Sequence, residues 1–246
     1  MKDHSSDPVV HWSPYESVLD FDMVHVWFCD LDDGRHSGTF DESILSPDER
    51  ERADGLKSTV ARLRFVERCS FIRQTLGVLA GIAPERLEFL SGFHGKPLLT
   101  RTAGSGGPRE IRFNVSHSEN ILALAVSFDR ELGIDIEVVN PIGDEITLAG
   151  SYFHPEEIER LVALPQRERC TGFYRLWTRE EAVAKLSGRA LAGRSSPATM
   201  STGVYSEHPI EITVGGKTIV GTLALGGEAV LAEPSFLLAG RNHQPG

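Results

Sequence analysis

Alternation and helical spacing of apolar residues divide most of the chain into short strands and longer helices. Met23 to Phe28 reads as a first strand. Ile111 to Val115 and Ile121 to Phe128 read as two more, flanking a turn at Ser116-His117-Ser118. From about Ser58 to Leu79, Leu63, Val66, Ile72, Leu76 and Leu79 form one apolar stripe, which predicts a helix closed by Gly81 and Pro84. Ser46-Pro47-Asp48-Glu49 opens a shorter helix, with a cap, a proline in the first turn and acids at the positive end of the dipole. Leu87 to Leu90 is a short strand, Gly92 to Pro97 a turn, and Thr102 to Pro108 a Gly/Ser/Pro loop. Pro155 opens a further helix, and a longer one covers roughly Arg167 to Leu186. The tail reads as strands at Ile210 to Val214, Thr218 to Leu225 and Ala229 to Ala232, with Gly215-Gly216 as a hairpin turn. The order predicts an α+β class: an N-terminal extension 1–20, an N-terminal α+β lobe 21–130, a C-terminal α+β lobe 131–239 and a flexible tail 240–246.

One strand and one helix carry chemistry. In Gly133-Ile134-Asp135-Ile136-Glu137, period two puts both carboxylates on one face and both isoleucines on the other. In the segment Trp177 to Lys185, Trp177, Glu181 and Lys185 stack at four-residue steps on one side of a helix. If strand and helix meet, Asp135, Glu137 and Glu181 form an acidic triplet with Lys185 one turn beyond. Two like charges about 4 Å apart repel by roughly 4 kcal/mol at an effective dielectric near 20. Three such carboxylates stay ionised together only around a cation. All-oxygen ligands beside a lysine suit Mg²⁺ holding a phosphate ester.

Composition narrows the class. With 246 residues, 40% hydrophobic and 24% charged, the chain buries a sizeable core, as one large domain or two small ones. Its apolar runs are too short to span a bilayer, and Met1 to Pro8 lacks the apolar core of a secretory signal. Cys29, Cys69 and Cys170 form no CxxC pair and fit small hydrophobes in a reducing cytoplasm. The expectation is a cytoplasmic protein without a membrane partner. A net charge of −10 argues against a nucleic-acid binder. It leaves room for a phosphorylated small ligand, because Arg50, Arg52, Arg62, Arg64, Arg68 and Arg73 crowd one stretch. Glu49, Glu51 and Glu67 balance them, as on a solvated helix face.

Four separated segments align with a known family: Gly95-Lys96-Pro97, Phe113-Asn114-Val115-Ser116-His117-Ser118, Gly133 to Glu137 and Trp177 to Lys185. The chain from about Met23 through Gly188 resembles the 4′-phosphopantetheinyl transferases of the Sfp type, which activate carrier proteins. The resemblance implies Mg²⁺-dependent transfer of the phosphopantetheine arm of coenzyme A to a serine of an acyl or peptidyl carrier protein, releasing 3′,5′-ADP, with Mn²⁺ as the alternative metal. It implies a monomer of two similar lobes related by a pseudo-two-fold axis, with the active site in the cleft between them. Carried over, Asp135, Glu137 and Glu181 hold the metal, and Glu181 helps deprotonate the serine. Lys185 contacts phosphate and stabilises the leaving group. His117, with Ser116 beside it, and Lys96 touch coenzyme A phosphates. Arg64 matches an arginine of the nucleotide pocket, and Arg52 stands where a cation for the 3′-phosphate is expected, although a solvated helix face explains it too. Phe153 and His154 are candidates for carrier docking. The family commonly has lysine before the metal glutamate, whereas this chain has Glu180-Glu181; Glu180 points about 100° around the helix.

Rival classes fare worse. A P-loop at Gly216-Lys217-Thr218 lacks its first glycine, since Glu211 stands there. A metal-dependent phosphodiesterase of nuclease type wants a lysine at position 139, which is Val139. A non-catalytic coenzyme A or carrier-protein binding module has no need of the acidic triplet. No GxSxG context supports a hydrolase.

Overall fold

The computed structural model describes residues 23–32, 41–91, 96–100, 110–188, 204–227 and 235–239. The expected extension 1–20, Gly95, the Thr102–Pro108 loop, the Ala229–Ala232 strand and the tail 240–246 lie outside them.

The first sheet contains β1 (His25–Asp30), β4 (Ile111–Ser118), β5 (Ile121–Phe128) and β9 (Ser235–Ala239) in the order β4-β5-β1-β9. Another holds β6 (Leu132–Val138), β7 (Tyr205–Val214) and β8 (Lys217–Gly226) in the order β6-β8-β7. A two-stranded ribbon joins β2 (Phe89–Ser91) to β3 (Pro97–Leu99). The helices are α1 (Pro47–Asp54), α2 (Thr59–Ala80), α3 (Glu145–Tyr152), α4 (Pro155–Ala163) and α5 (Gln166–Leu186). The class is α+β. The larger sheets face one another across a core of Val26, Phe28, Ile121, Ala123 and Ala125 against Ile134, Ile136, Ile219 and Leu223. On the outer side of the first sheet, α2 packs through Leu76 on Trp27, Phe113, Leu124 and Val126. On the outer side of the other, α5 lies over β6 and β8. The order is helix, sheet, sheet, helix.

Local signals explain the ends of these elements. Ser46 accepts the Glu49 N–H while Glu49 accepts the Ser46 N–H, a capping box before Pro47. Ser58 caps α2, and Gly81 ends it in the left-handed region with φ of 63°. Cys29 and Cys69 are buried, and burial pushes the Cys69 thiol up to about 11, as an inert small hydrophobe.

Four expectations change. Ser116-His117-Ser118 is not a turn: β4 continues through Ser118, and the chain reverses at Glu119-Asn120, with Glu119 at φ of 52°. Leu63 is 52% exposed, one turn before the buried stripe of α2 begins at Val66. The helix α3 was not anticipated, and Phe153 beyond it is buried against Phe173 rather than offered for docking. The strand β9, counted in the 131–239 lobe, pairs in parallel with β1 of the first sheet.

Arg73 ties the helical layer together. Only 2% exposed, it donates to Glu49 at 2.6 Å and to the carbonyls of Pro84 and Leu87 at 2.9 and 3.0 Å, with Phe89 beneath its guanidinium. Removing one partner of a buried pair strands the other charge. Arg73→Met is expected to cost about 3 kcal/mol, read as a lower urea midpoint; an unchanged midpoint would refute this role.

Candidate active site

The site forms where two edge strands approach. The inner face of β4 presents Asn114, Ser116 and Ser118 toward β6, whose second edge has no strand partner among the described residues. The Asn114 side-chain oxygen accepts the Ile134 N–H at 2.9 Å. Ser116 Oγ accepts the Ile136 N–H at 3.3 Å, and Ser118 Oγ accepts the Val138 N–H at 3.0 Å. Three side chains thus replace a strand, at period two. Ser116 Oγ also donates to Asp135 Oδ1 at 2.8 Å, and Ser118 Oγ donates to Glu137 Oε2 at 2.6 Å.

The helix α5 lies directly on this strand. A Cβ on Gly133 would meet the Ala182 carbonyl at 2.1 Å and the Leu186 nitrogen at 2.4 Å, so only glycine admits the helix at this distance. The approach brings Lys185 Nζ to Asp135 Oδ1 at 2.7 Å and to the Ile134 carbonyl at 3.1 Å. Asp135 is 6% exposed, and its Oδ2 is buried without a hydrogen-bond partner.

The carboxylates sense one another. Loss of surrounding water raises the Asp135 pKa against the opposing pull of Lys185 and Ser116. Loss of water also raises Glu137, with Asp135 adding to the rise and the Ser118 hydrogen bond opposing it. Glu181 is raised first by loss of water, then by the charge of Asp135, with a smaller push from Glu137. Among the described residues, no three His, Cys, Asp or Glu side chains form a group arranged to hold a metal ion as they stand, and Lys185 sits on Asp135. The donor set nevertheless fits a divalent cation: all ligands are oxygens, their negative charge is under-compensated, and one buried oxygen is unused.

His117 lies on the opposite face of β4 from the serines. Its ring reaches solvent, yet loss of water and then the cations Arg68 and Lys185 hold its pKa below the usual value, against Asp135. Lys96, just before β3, reaches the start of β6 with its side chain, donating to Glu131 at 2.8 Å and to the Leu132 carbonyl at 2.9 Å. Arg64, on α2, grips Asp32 through two hydrogen bonds, one of them at 2.7 Å. Arg52 is not brought to the acids; its guanidinium lies over Phe65 at 5.7 Å. Ser116 has its hydroxyl engaged with β6 rather than turned to a coenzyme. Glu180 pairs with Arg179 at 2.6 Å, away from the triplet.

Three participants escaped the sequence reading. Asn114 and Ser118 are two of them, and their period-two spacing with Ser116 is the signal that finds them. Arg68 stands one helical turn beyond Arg64, on the same face. A cavity of about 390 Å³ also opens on the opposite face of α5, among Leu161, Leu164, Leu176 and Pro209, and does not touch the acids.

Comparison with known proteins adds an independent line. A family model described as the 4′-phosphopantetheinyl transferase superfamily matches residues 131–228, the segment holding β6, α5 and all three acids. The chain is 36% identical over 180 residues to the 4′-phosphopantetheinyl transferase HetI of a Nostoc species, covering 73% of this chain and 74% of that protein. It is 30% identical over 171 residues to a putative 4′-phosphopantetheinyl transferase of a Synechocystis species, covering 68% and 66%. It is 36% identical over 101 residues to the 4′-phosphopantetheinyl transferase AcpT of Salmonella typhimurium, covering 41% and 50%.

Two measurements test the geometry. Gly133→Ala must push α5 off β6 and is expected to cost about 3 kcal/mol, seen in the urea midpoint. Wild-type stability there would mean the helix does not rest on that strand. Carboxylates with raised folded pKa values retain more protons when folded than unfolded. Their contribution is therefore fully present below about pH 4 and is lost as pH climbs through the raised values. Asp135→Asn removes one such group, so its stability relative to wild type should improve as pH rises above about 4. A relative loss over that range would contradict the assigned direction.

Proposed function

The chain belongs to the 4′-phosphopantetheinyl transferase superfamily and is a 4′-phosphopantetheinyl transferase, and on that premise we propose that it moves the phosphopantetheine arm of coenzyme A onto a serine of an acyl or peptidyl carrier protein. What supports the reading is the meeting of Glu181 and Lys185 on α5 with Asp135 and Glu137 on β6. In this reading Asp135, Glu137 and Glu181 hold a divalent cation, Mg²⁺ or Mn²⁺. When bound, it neutralises charge on the pyrophosphate.

The side chains supply the rest. The carrier serine oxygen forms a bond to the phosphorus bearing the pantetheine arm, and the bond from that phosphorus to the bridging oxygen breaks. Both electrons of the broken bond leave with 3′,5′-ADP. Glu181 takes the hydroxyl proton as general base. Lys185 moves from Asp135 to the phosphates and offsets charge on the leaving oxygen. His117, Lys96, Arg64 and Arg68 line the approach to the acids and bind the coenzyme phosphates; a phosphate beside His117 would raise its lowered pKa. Arg52 joins this set only by leaving Phe65.

No helix among the described residues is long and apolar enough to cross a membrane. On α3, Tyr152 stacks edge-on against Trp177 of α5 and is 46% exposed, and Leu148, one turn earlier, is 38% exposed. They offer a carrier protein an apolar contact that the buried Phe153 does not.

The test weighs an apo carrier protein after incubation with coenzyme A and Mg²⁺. Wild type should add the phosphopantetheine mass, and Asp135→Ala and Glu181→Ala should add none while keeping native circular dichroism. Lys185→Ala should slow transfer by about 10²-fold or more. Carriers that stay unmodified by wild type, across a panel, would end the proposal.

A further inference from the structure

The serines of β4 repeat one contact two residues apart. Ser116 accepts the Ile136 N–H and donates to Asp135 Oδ1, while Ser118 accepts the Val138 N–H and donates to Glu137 Oε2. Each hydroxyl therefore holds the carboxylate of one residue and the amide of the next. Asn114 completes the series where no carboxylate needs holding: it accepts the Ile134 N–H, and the residue before is Gly133. A hydroxyl can accept and donate at once, which the double contact requires.

From this repeat we infer that Ser116 and Ser118 are positioning residues that occupy one oxygen of each strand carboxylate, leaving a single oxygen of each for the cation and so favouring Mg²⁺ over Ca²⁺. The inference rests on the metal reading given above. At Asp135 the division is complete: Oδ1 takes Ser116, and also Lys185 until that side chain moves to the phosphates, while Oδ2 is buried with no partner. At Glu137, Ser118 occupies Oε2. One-oxygen ligation suits the small octahedral shell of Mg²⁺, whereas the larger and more flexible Ca²⁺ shell readily takes both oxygens of a carboxylate. Groups that orient metal ligands typically change affinity by about 10–100-fold when removed.

Ser118 is the better test position because it is only partly buried, whereas Ser116→Ala strands a buried amide. The full chain with coenzyme A, and without carrier protein, is titrated with Mn²⁺ followed by electron paramagnetic resonance. Mg²⁺ and Ca²⁺ are then competed against Mn²⁺, and a thermal melt checks the fold. Ser118→Ala should weaken Mg²⁺ about tenfold and Ca²⁺ clearly less, shifting the ratio toward Ca²⁺. Ser118→Thr, which restores a hydroxyl, should return the ratio to the wild-type value. An unchanged ratio in Ser118→Ala, or an equal loss of both ions, overturns the inference. If Ser118→Ala melts early, the threonine variant decides: a folded Ser118→Thr with a ratio shifted toward Ca²⁺ also overturns it. Wild type that takes up no Mn²⁺, or Glu137→Gln that binds it as tightly as wild type, instead overturns the underlying metal reading.

Discussion

The architecture depends on how one strand edge is satisfied. β6 bonds to β8 on one side, and on the other its amides at 134, 136 and 138 bond to side chains of β4 rather than to a strand backbone. A buried amide left without an acceptor costs about 1–3 kcal/mol, so the buried pair at Ile134 and Ile136, with the part-buried amide of Val138, forms a strong requirement. Side chains span a wider gap than backbone pairing does. The two sheets can therefore face each other across a shared apolar core while their edges stay in register. The same strand sends His117 to its other face, where Arg68 of α2 acts on it. One eight-residue strand thus serves both the acids and the approach to them.

The other constraint comes from the helix layer. With no side chain at Gly133, α5 rests on the backbone of β6, and this contact sets how near Glu181 and Lys185 come to Asp135. The acids accumulate charge in a place poor in water, and Lys185 offsets part of it. On the far side of the molecule Arg73 does a different task, satisfying two carbonyls and the Glu49 carboxylate under the α1–α2 junction.

Much of this was legible in the sequence because it is set locally. The alternation of Ile and acid at 134–137, the four-residue steps from Trp177 to Lys185, the cap at Ser46 and the start of α2 near Ser58 each read directly from neighbouring residues. What failed depends on distant partners. Ser-His-Ser has turn-like composition, yet β6 offers its serines amides to accept, and they stay in the strand. Leu63 belongs to the helical stripe by period, but the packed surface does not reach that far along α2. Phe153 looked exposed beside a proline-led helix and instead meets Phe173 of α5. Nothing nearby in the chain announces that β9 returns to β1.

That return has a bearing on biogenesis. Among the described residues, β1 has β5 on one edge, available once the first half of the chain is made, and β9 on the other, available only near the end of synthesis. A bare edge in a nascent chain invites wrong pairing with neighbours, and closure over so long an interval is slow. Ribosome-bound intermediates that end before β9 should therefore be the stage at which this protein most needs a chaperone's cover.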